Sequence, residues 1–93
     1  MVKRVDNMDL YSVIVRPHVT EKTMNLIDRN NELIFIVLRK SNKTVIKNVF
    51  ERLFDEKVKK VNTHISSKGL KVAYISLVKE GAAEDIAVRI GVF

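Results

Sequence analysis

Apolar residues recur along this 93-residue chain with two periods, and the switches between them mark out the expected elements. Ser12-Val13-Ile14-Val15 is a short β-branched run that stops at Arg16-Pro17. Proline lacks a ladder N–H and forces its predecessor into extended geometry, so a first strand is expected to end here. Thr20 suits a helix N-cap, and Glu21 at the first helical position complements the helix dipole. Val19 and Met24 have the spacing of a hydrophobic staple. That helix is expected to reach Ile27 and to break at Asp28-Arg29-Asn30-Asn31, a run of turn formers. Leu33 to Leu38 is an unbroken apolar run rich in β-branching, which predicts a buried strand.

A second helix follows, capped by Ser41 or Asn42. Val45, Ile46, Val49, Phe50, Leu53 and Phe54 form its stripe at the 3.6-residue period, with Lys43, Lys47, Glu51 and Arg52 opposite. Val58 to Ser66 then alternates, placing Val61, Thr63 and Ile65 on one face and Lys60, Asn62 and His64 on the other. Ser67-Lys68-Gly69 turns the chain into Leu70 to Val78, completing an antiparallel hairpin. Gly81 to Ile90 predicts a last helix that buries Ala83, Ile86, Ala87 and Ile90, carries acids in its first turn and stops at Gly91.

The order β-α-β-α-β-β-α predicts an α+β fold: a four-stranded, mostly antiparallel sheet with three helices packed on one face. The second strand–helix–strand unit should be right-handed if its strands run parallel. The uncovered sheet face and the hairpin are left for a partner. The length supports one core, so residues 1–93 are expected to be a single domain, with 1–10 as a loose arm. An apolar fraction of 46% is that of a globular domain. No apolar run approaches the roughly 20 residues that span a bilayer, and Met1 to Asp6 opens no signal peptide. A soluble, intracellular protein is expected, with no membrane insertion.

Charge sharpens the picture. The net charge of +6 is unevenly spread: residues 1–38 and 73–93 carry net charges of 0 and −1, whereas residues 39–72 carry +7. One sign concentrated in one third of a chain attracts a polyanion, nucleic acid before an anionic membrane. Lys43 and Lys47, one helical turn apart, repel each other and favour an anionic partner, although a solvated helix face accounts for them equally well. Lys59, Lys60, Lys68 and Lys71 lie at the base and tip of the hairpin, where they can follow a phosphate groove or simply guard an edge strand. Asn62, Thr63 and His64 between them can bond phosphates or 2′-hydroxyls.

Catalysis has no foothold. The chain has no cysteine, its three glycines form no phosphate-binding loop, and its carboxylates are scattered. His18 and His64 stand 46 residues apart without further ligands at metal-binding spacing, so His64 reads as a polar strand residue. No enzyme activity, cofactor or metal is expected. The paired aromatics of an RNA recognition motif are missing, which favours recognition of folded RNA by shape and backbone.

Arg16-Pro17-His18-Val19-Thr20-Glu21-Lys22 resembles the universal large-subunit ribosomal protein twenty-three family. The helix from Lys43 to Phe54, Val61-Asn62-Thr63 and Lys71-Val72-Ala73-Tyr74 agree with that family in order and spacing. The resemblance runs from about Tyr11 to the C-terminus. It implies binding of 23S rRNA at the outer rim of the polypeptide exit tunnel, in a cytoplasmic large subunit. It also implies contact with ribosomal protein twenty-nine and docking of the signal recognition particle or other exit-site factors. The candidate rRNA-binding residues are then Arg16, His18, Lys22, Lys40, Lys43, Lys47, Lys60, Asn62, Thr63, Lys68 and Lys71, with Glu21 for docking. Bacterial members carry a long Arg- and Gly-rich hairpin loop. Here about four residues, near Ser67 to Leu70, join the strands, which with the ending Arg89 to Phe93 resembles the archaeal form. A protein-docking adaptor with an incidental basic face is the alternative. A membrane-surface module is a weaker third, for want of a Trp- or Leu-rich amphipathic face opposite the lysines.

Overall fold

A computed structural model describes residues 13–92; the expected N-terminal arm, Tyr11, Ser12 and Phe93 lie outside the described residues. Among the described residues the chain forms β1 (Ile14–Pro17), α1 (Glu21–Asn30), β2 (Glu32–Val37), α2 (Lys43–Phe54), β3 (Val58–Ile65), β4 (Lys71–Leu77) and α3 (Ala82–Ile90). The strands make one sheet in the order β1-β2-β4-β3, and every neighbouring pair is antiparallel. β2 and β3 therefore run parallel with β4 between them, and α2 makes the crossover.

One face of the sheet builds the core. Leu33, Phe35 and Val37 of β2, Ala73, Ile75 and Leu77 of β4, and Val58 and Val61 of β3 meet Ile27, Ile46, Phe50, Ala83 and Ile86 from the helices. Phe50 is wholly buried, its ring 4.6 Å from Phe54 and 5.8 Å edge-on to Phe35. Alanines at 82, 83 and 87, all fully buried, keep α3 thin where it packs on the sheet.

The expected boundaries shift in places, each for a local reason. β1 is not among them: it ends at Pro17 as expected, and Pro17 pairs with Phe35 because on an edge strand the missing N–H costs no ladder bond. α1 continues three residues past Ile27, because the chain reverses only at Asn31, whose left-handed backbone (φ 53°) ends the helix with its N–H on the Leu26 carbonyl. Thr20 caps α1 as expected, but its reciprocal partner is Thr23: the Thr23 N–H donates to the Thr20 hydroxyl at 3.1 Å and the Thr20 N–H to the Thr23 hydroxyl at 2.8 Å. Val19 and Met24 remain 48% and 38% exposed, since α1 turns Thr23 and Ile27 inward instead. Asn42, not Ser41, caps α2, accepting the Val45 N–H at 2.9 Å. Ser41 donates its hydroxyl to the Leu38 carbonyl. Val45, assigned to the α2 stripe, is exposed at the helix start.

The remaining helix start depends on a distant residue. Gly81 stands at the N-cap of α3 without a side chain to offer. The Asn31 amide oxygen takes its place, accepting the Ala83 N–H at 2.9 Å. The same amide donates to the carbonyls of Leu77 (3.1 Å) and Lys79 (2.7 Å).

Phe50→Ala should cost about 3–5 kcal/mol, read as a lower midpoint in urea at unchanged slope. Asn31→Gly keeps the left-handed backbone and removes all three side-chain hydrogen bonds. It should lower stability by about 1–3 kcal/mol, with the earliest hydrogen exchange in α3. An unchanged melt would show that α3 starts without help from Asn31.

Candidate nucleic-acid interface

Two surfaces gather the basic and polar residues of the middle of the chain. The first is one end of the sheet, where Val37, Lys71 and Ile65 stand in register. The β2–α2 turn brings Arg39 and Lys40 there, Lys43 opens α2 beside them, and the hairpin adds Lys68. The turn and hairpin lie against each other: the Arg39 guanidinium is 3.8 Å from where a Cβ on Gly69 would stand. The hairpin itself is tight. Ser66 donates its N–H to the Leu70 carbonyl, the Gly69 N–H returns to the Ser66 carbonyl, and Gly69 takes a left-handed φ of 81°. That is the three-residue turn expected at Ser67-Lys68-Gly69.

The second surface is the sheet face opposite the core, which no helix of the described residues covers. Directly paired antiparallel residues point to the same side, so the register writes out its rows. Arg16, Ile36, Val72 and His64 form one row; Ile34, Tyr74 and Asn62 the next; Glu32, Ser76 and Lys60 the third. The middle of this face is apolar and buried, with Ile34, Ile36 and Val72 at 3–5% exposure, while its rim is polar. A shallow depression of about 360 Å³ is bounded by Arg16, His18, His64, Lys68 and Tyr74 above Val72. The rings of His64 and Tyr74 lie 5.2 Å apart, tilted by 35°.

These surfaces collect some of the expected residues and scatter others. Arg16, His18, Lys60, Asn62 and Lys68 share the sheet face or its rim, and Lys40, Lys43, Lys68 and Lys71 share the sheet end. Thr63 pairs with Ala73 and so faces the helix layer, away from Asn62. Lys71 has the same orientation, and its ammonium donates to the Ser41 carbonyl, tying the β2–α2 turn to the sheet. Lys22 and Lys47 are exposed on α1 and α2. Glu21, also exposed, sits at the first turn of α1 with Val19 and Met24 beside it. Two contributors, Arg39 and Tyr74, lie outside the residues that the sequence singled out for RNA, and His64 joins Asn62 on this face as a candidate phosphate or 2′-hydroxyl partner. The parity of β4 carries the signal for Tyr74, which alternates with Ala73 and Ile75 and must face away from the core.

Residues 12–79 match the model of the family described as ribosomal protein L23. The large ribosomal subunit protein uL23 of Methanobrevibacter smithii is 62% identical over 92% of this chain and all of its own length. The uL23 proteins of Methanothermobacter thermautotrophicus and Methanococcus aeolicus are 60% and 44% identical over the same shares. With a family match across most of its length and archaeal relatives at this identity, the chain belongs to the ribosomal protein L23 (uL23) family, non-enzymatic structural constituents of the large ribosomal subunit.

Proposed function

We propose that the chain holds 23S rRNA at the outer rim of the polypeptide exit tunnel, and that the start of α1 helps form a docking site for targeting factors beside ribosomal protein twenty-nine. Membership of the large subunit makes rRNA and ribosomal proteins its partners in general terms. The observation that carries the rRNA assignment is the meeting of cations from separate segments at one end of the sheet: Arg39 and Lys40 from a turn, Lys43 from a helix start, Lys68 from the hairpin tip. Like charges gathered this way raise the energy of the free protein and lower it when phosphates lie between them. With only Ser67, Lys68 and Gly69 beyond the last pairing of the hairpin, the tip follows an RNA surface and does not thread into it.

The docking assignment rests on a different patch. Glu21, Val19 and Met24 are all exposed, an acid with two apolar neighbours. Phosphate has no use for such a surface, whereas a protein partner can bury the apolar pair and be oriented by the charge.

Binding to a structured rRNA fragment should fall steeply with salt. Each phosphate contact contributes roughly 0.7–0.9 to the log–log slope, so five contacts give a slope of about 4. Lys40→Gln with Lys68→Gln should reduce that slope by about 1–2. Lys71→Met should act mainly on thermal stability, because its ammonium is already engaged by Ser41. A salt-independent affinity would remove the phosphate reading.

The two surfaces should separate in reconstituted subunits. Glu21→Lys is expected to assemble normally and to slow association of the signal recognition particle, while Lys47→Glu/Lys68→Glu is expected to incorporate poorly. Normal docking by Glu21→Lys subunits would reduce Glu21 to a helix-terminal charge, worth about 0.3–1 kcal/mol.

A further inference from the structure

The helix-free face carries a feature that charge does not explain. Tyr74 lies on β4, an interior strand, at a position directly opposite Asn62, and its ring packs at a tilt against His64 from the edge strand. A cross-strand aromatic pair can exist simply to stabilise a hairpin. Here, however, the pair borders the 360 Å³ depression, Val72 and Ile36 provide an apolar floor, and Arg16, His18 and Lys68 stand at the rim. A structural pair needs none of these. An aromatic ring beside an apolar floor, edged by the Arg16 and Lys68 cations and the His18 imidazole, with the Asn62 amide in the adjacent row, is what a nucleotide with an unstacked base would find complementary.

We propose that Tyr74 and His64 form a stacking platform for a single nucleobase extruded from folded large-subunit rRNA, with Arg16, His18 and Lys68 holding the flanking phosphates and Asn62 facing the base edge. The proposal rests on the rRNA-binding reading and adds to it a contact with a base. Geometry fixes how the base sits. Slotting it between the two rings would need about 7 Å, twice the stacking repeat of roughly 3.4 Å, and the rings are 5.2 Å apart. The base therefore lies against the open side of the pair. The depression stands at the small end of ligand-pocket sizes, about 300–1,000 Å³, which suits one nucleotide and not a run of single strand. Asn62, with both a donor and an acceptor, can pair with a donor and an acceptor on a base edge, where a lysine could only donate.

The chain has no tryptophan, so Tyr74→Trp introduces a single indole reporter in the platform. The probe is the rRNA fragment recovered by ultraviolet crosslinking to residue 74 in the native large subunit, together with the same fragment made abasic at the crosslinked nucleotide. The intact fragment should quench the indole fluorescence, and the abasic one should leave it bright and bind roughly tenfold more weakly. Tyr74→Leu should lose about tenfold in affinity at an unchanged salt slope, whereas Tyr74→Phe should bind as the parent does. Thermal melts of each variant separate loss of binding from loss of fold. The platform is overturned if the indole stays bright with the intact fragment, or if the abasic fragment binds as tightly as the intact one. Both outcomes leave rRNA binding standing as long as the parent binds with a steep salt slope. A parent that binds neither fragment overturns the rRNA reading and the platform together.

Discussion

A single asparagine ties the end of α1 and the start of α3 to the sheet. Asn31 ends α1 through its left-handed backbone, its carbonyl accepts the Leu77 N–H at 3.1 Å, and its side chain bonds Leu77, Lys79 and Ala83. Each part of the residue is needed. The backbone conformation excludes most side chains, the two amide donors exclude aspartate, and the amide oxygen supplies the cap that Gly81 cannot. The bond to Leu77 continues directly into the β2–β4 ladder at Glu32 and Ser76. Asn31 thereby reinforces the register that the apolar alternation of the two interior strands sets. A slip of one residue would turn Tyr74 into the core and Ile75 out of it. The orientation of the candidate RNA face is thus braced at the far end of the sheet from the basic turn and hairpin.

That dependence explains which parts of the fold can be read along the chain. Elements whose stability is local are legible: the α2 stripe of Ile46, Val49 and Phe50, the alternation of β3, the Gly69 turn and the Gly91 stop. The end of α1 is not, because Asp28, Arg29 and Asn30 have turn composition yet stay helical until a contact with residues 46 to 52 positions away halts the chain. Nor is the choice between Ser41 and Asn42. Both are good caps, and Ser41 is withdrawn only because its hydroxyl is held by Leu38 and its carbonyl by Lys71. The placement of β4 between β2 and β3 is likewise a long-range pairing that local pattern leaves open.

The site divides along the same line. The excess positive charge is visible as a block, but its block character is partly an accident of the chain path. Residues 39–72 include a turn, a helix, the whole of β3, the hairpin turn and the start of β4, and the fold distributes their cations between the sheet end, the outer side of α2 and the face without a helix. Neighbours in sequence separate: Asn62 faces the candidate RNA side and Thr63 the helices. Distant residues join, as Arg16 with His64 across four strands in one row. Parity along β4 sets Tyr74 apart from Ala73 and Ile75, but only the pairing with β3 shows that His64 and Asn62 share its face.

The uncovered face is where the needs of folding and binding meet. Its centre, Ile34, Ile36 and Val72, is as buried as core, so the sheet has an apolar interior on this side without a helix of the described residues to cover it. Both edges are irregular, with ladder shifts at Val15 in β1 and Lys59 in β3, and β3 carries Lys59 and Lys60. Bulges and lysines on edge strands discourage pairing with another sheet. Edge-to-edge association is thereby disfavoured, while no helix of the described residues stands between the rim cations of the broad face and an anionic surface. Lysines on an edge and lysines for phosphate are alternative readings of the same residues in the sequence. On this sheet they are compatible, because a charge that repels a second strand also attracts a phosphate backbone. Lys71 marks the contrast: it points into the helix layer, and its ammonium is spent on the Ser41 carbonyl that anchors the basic turn.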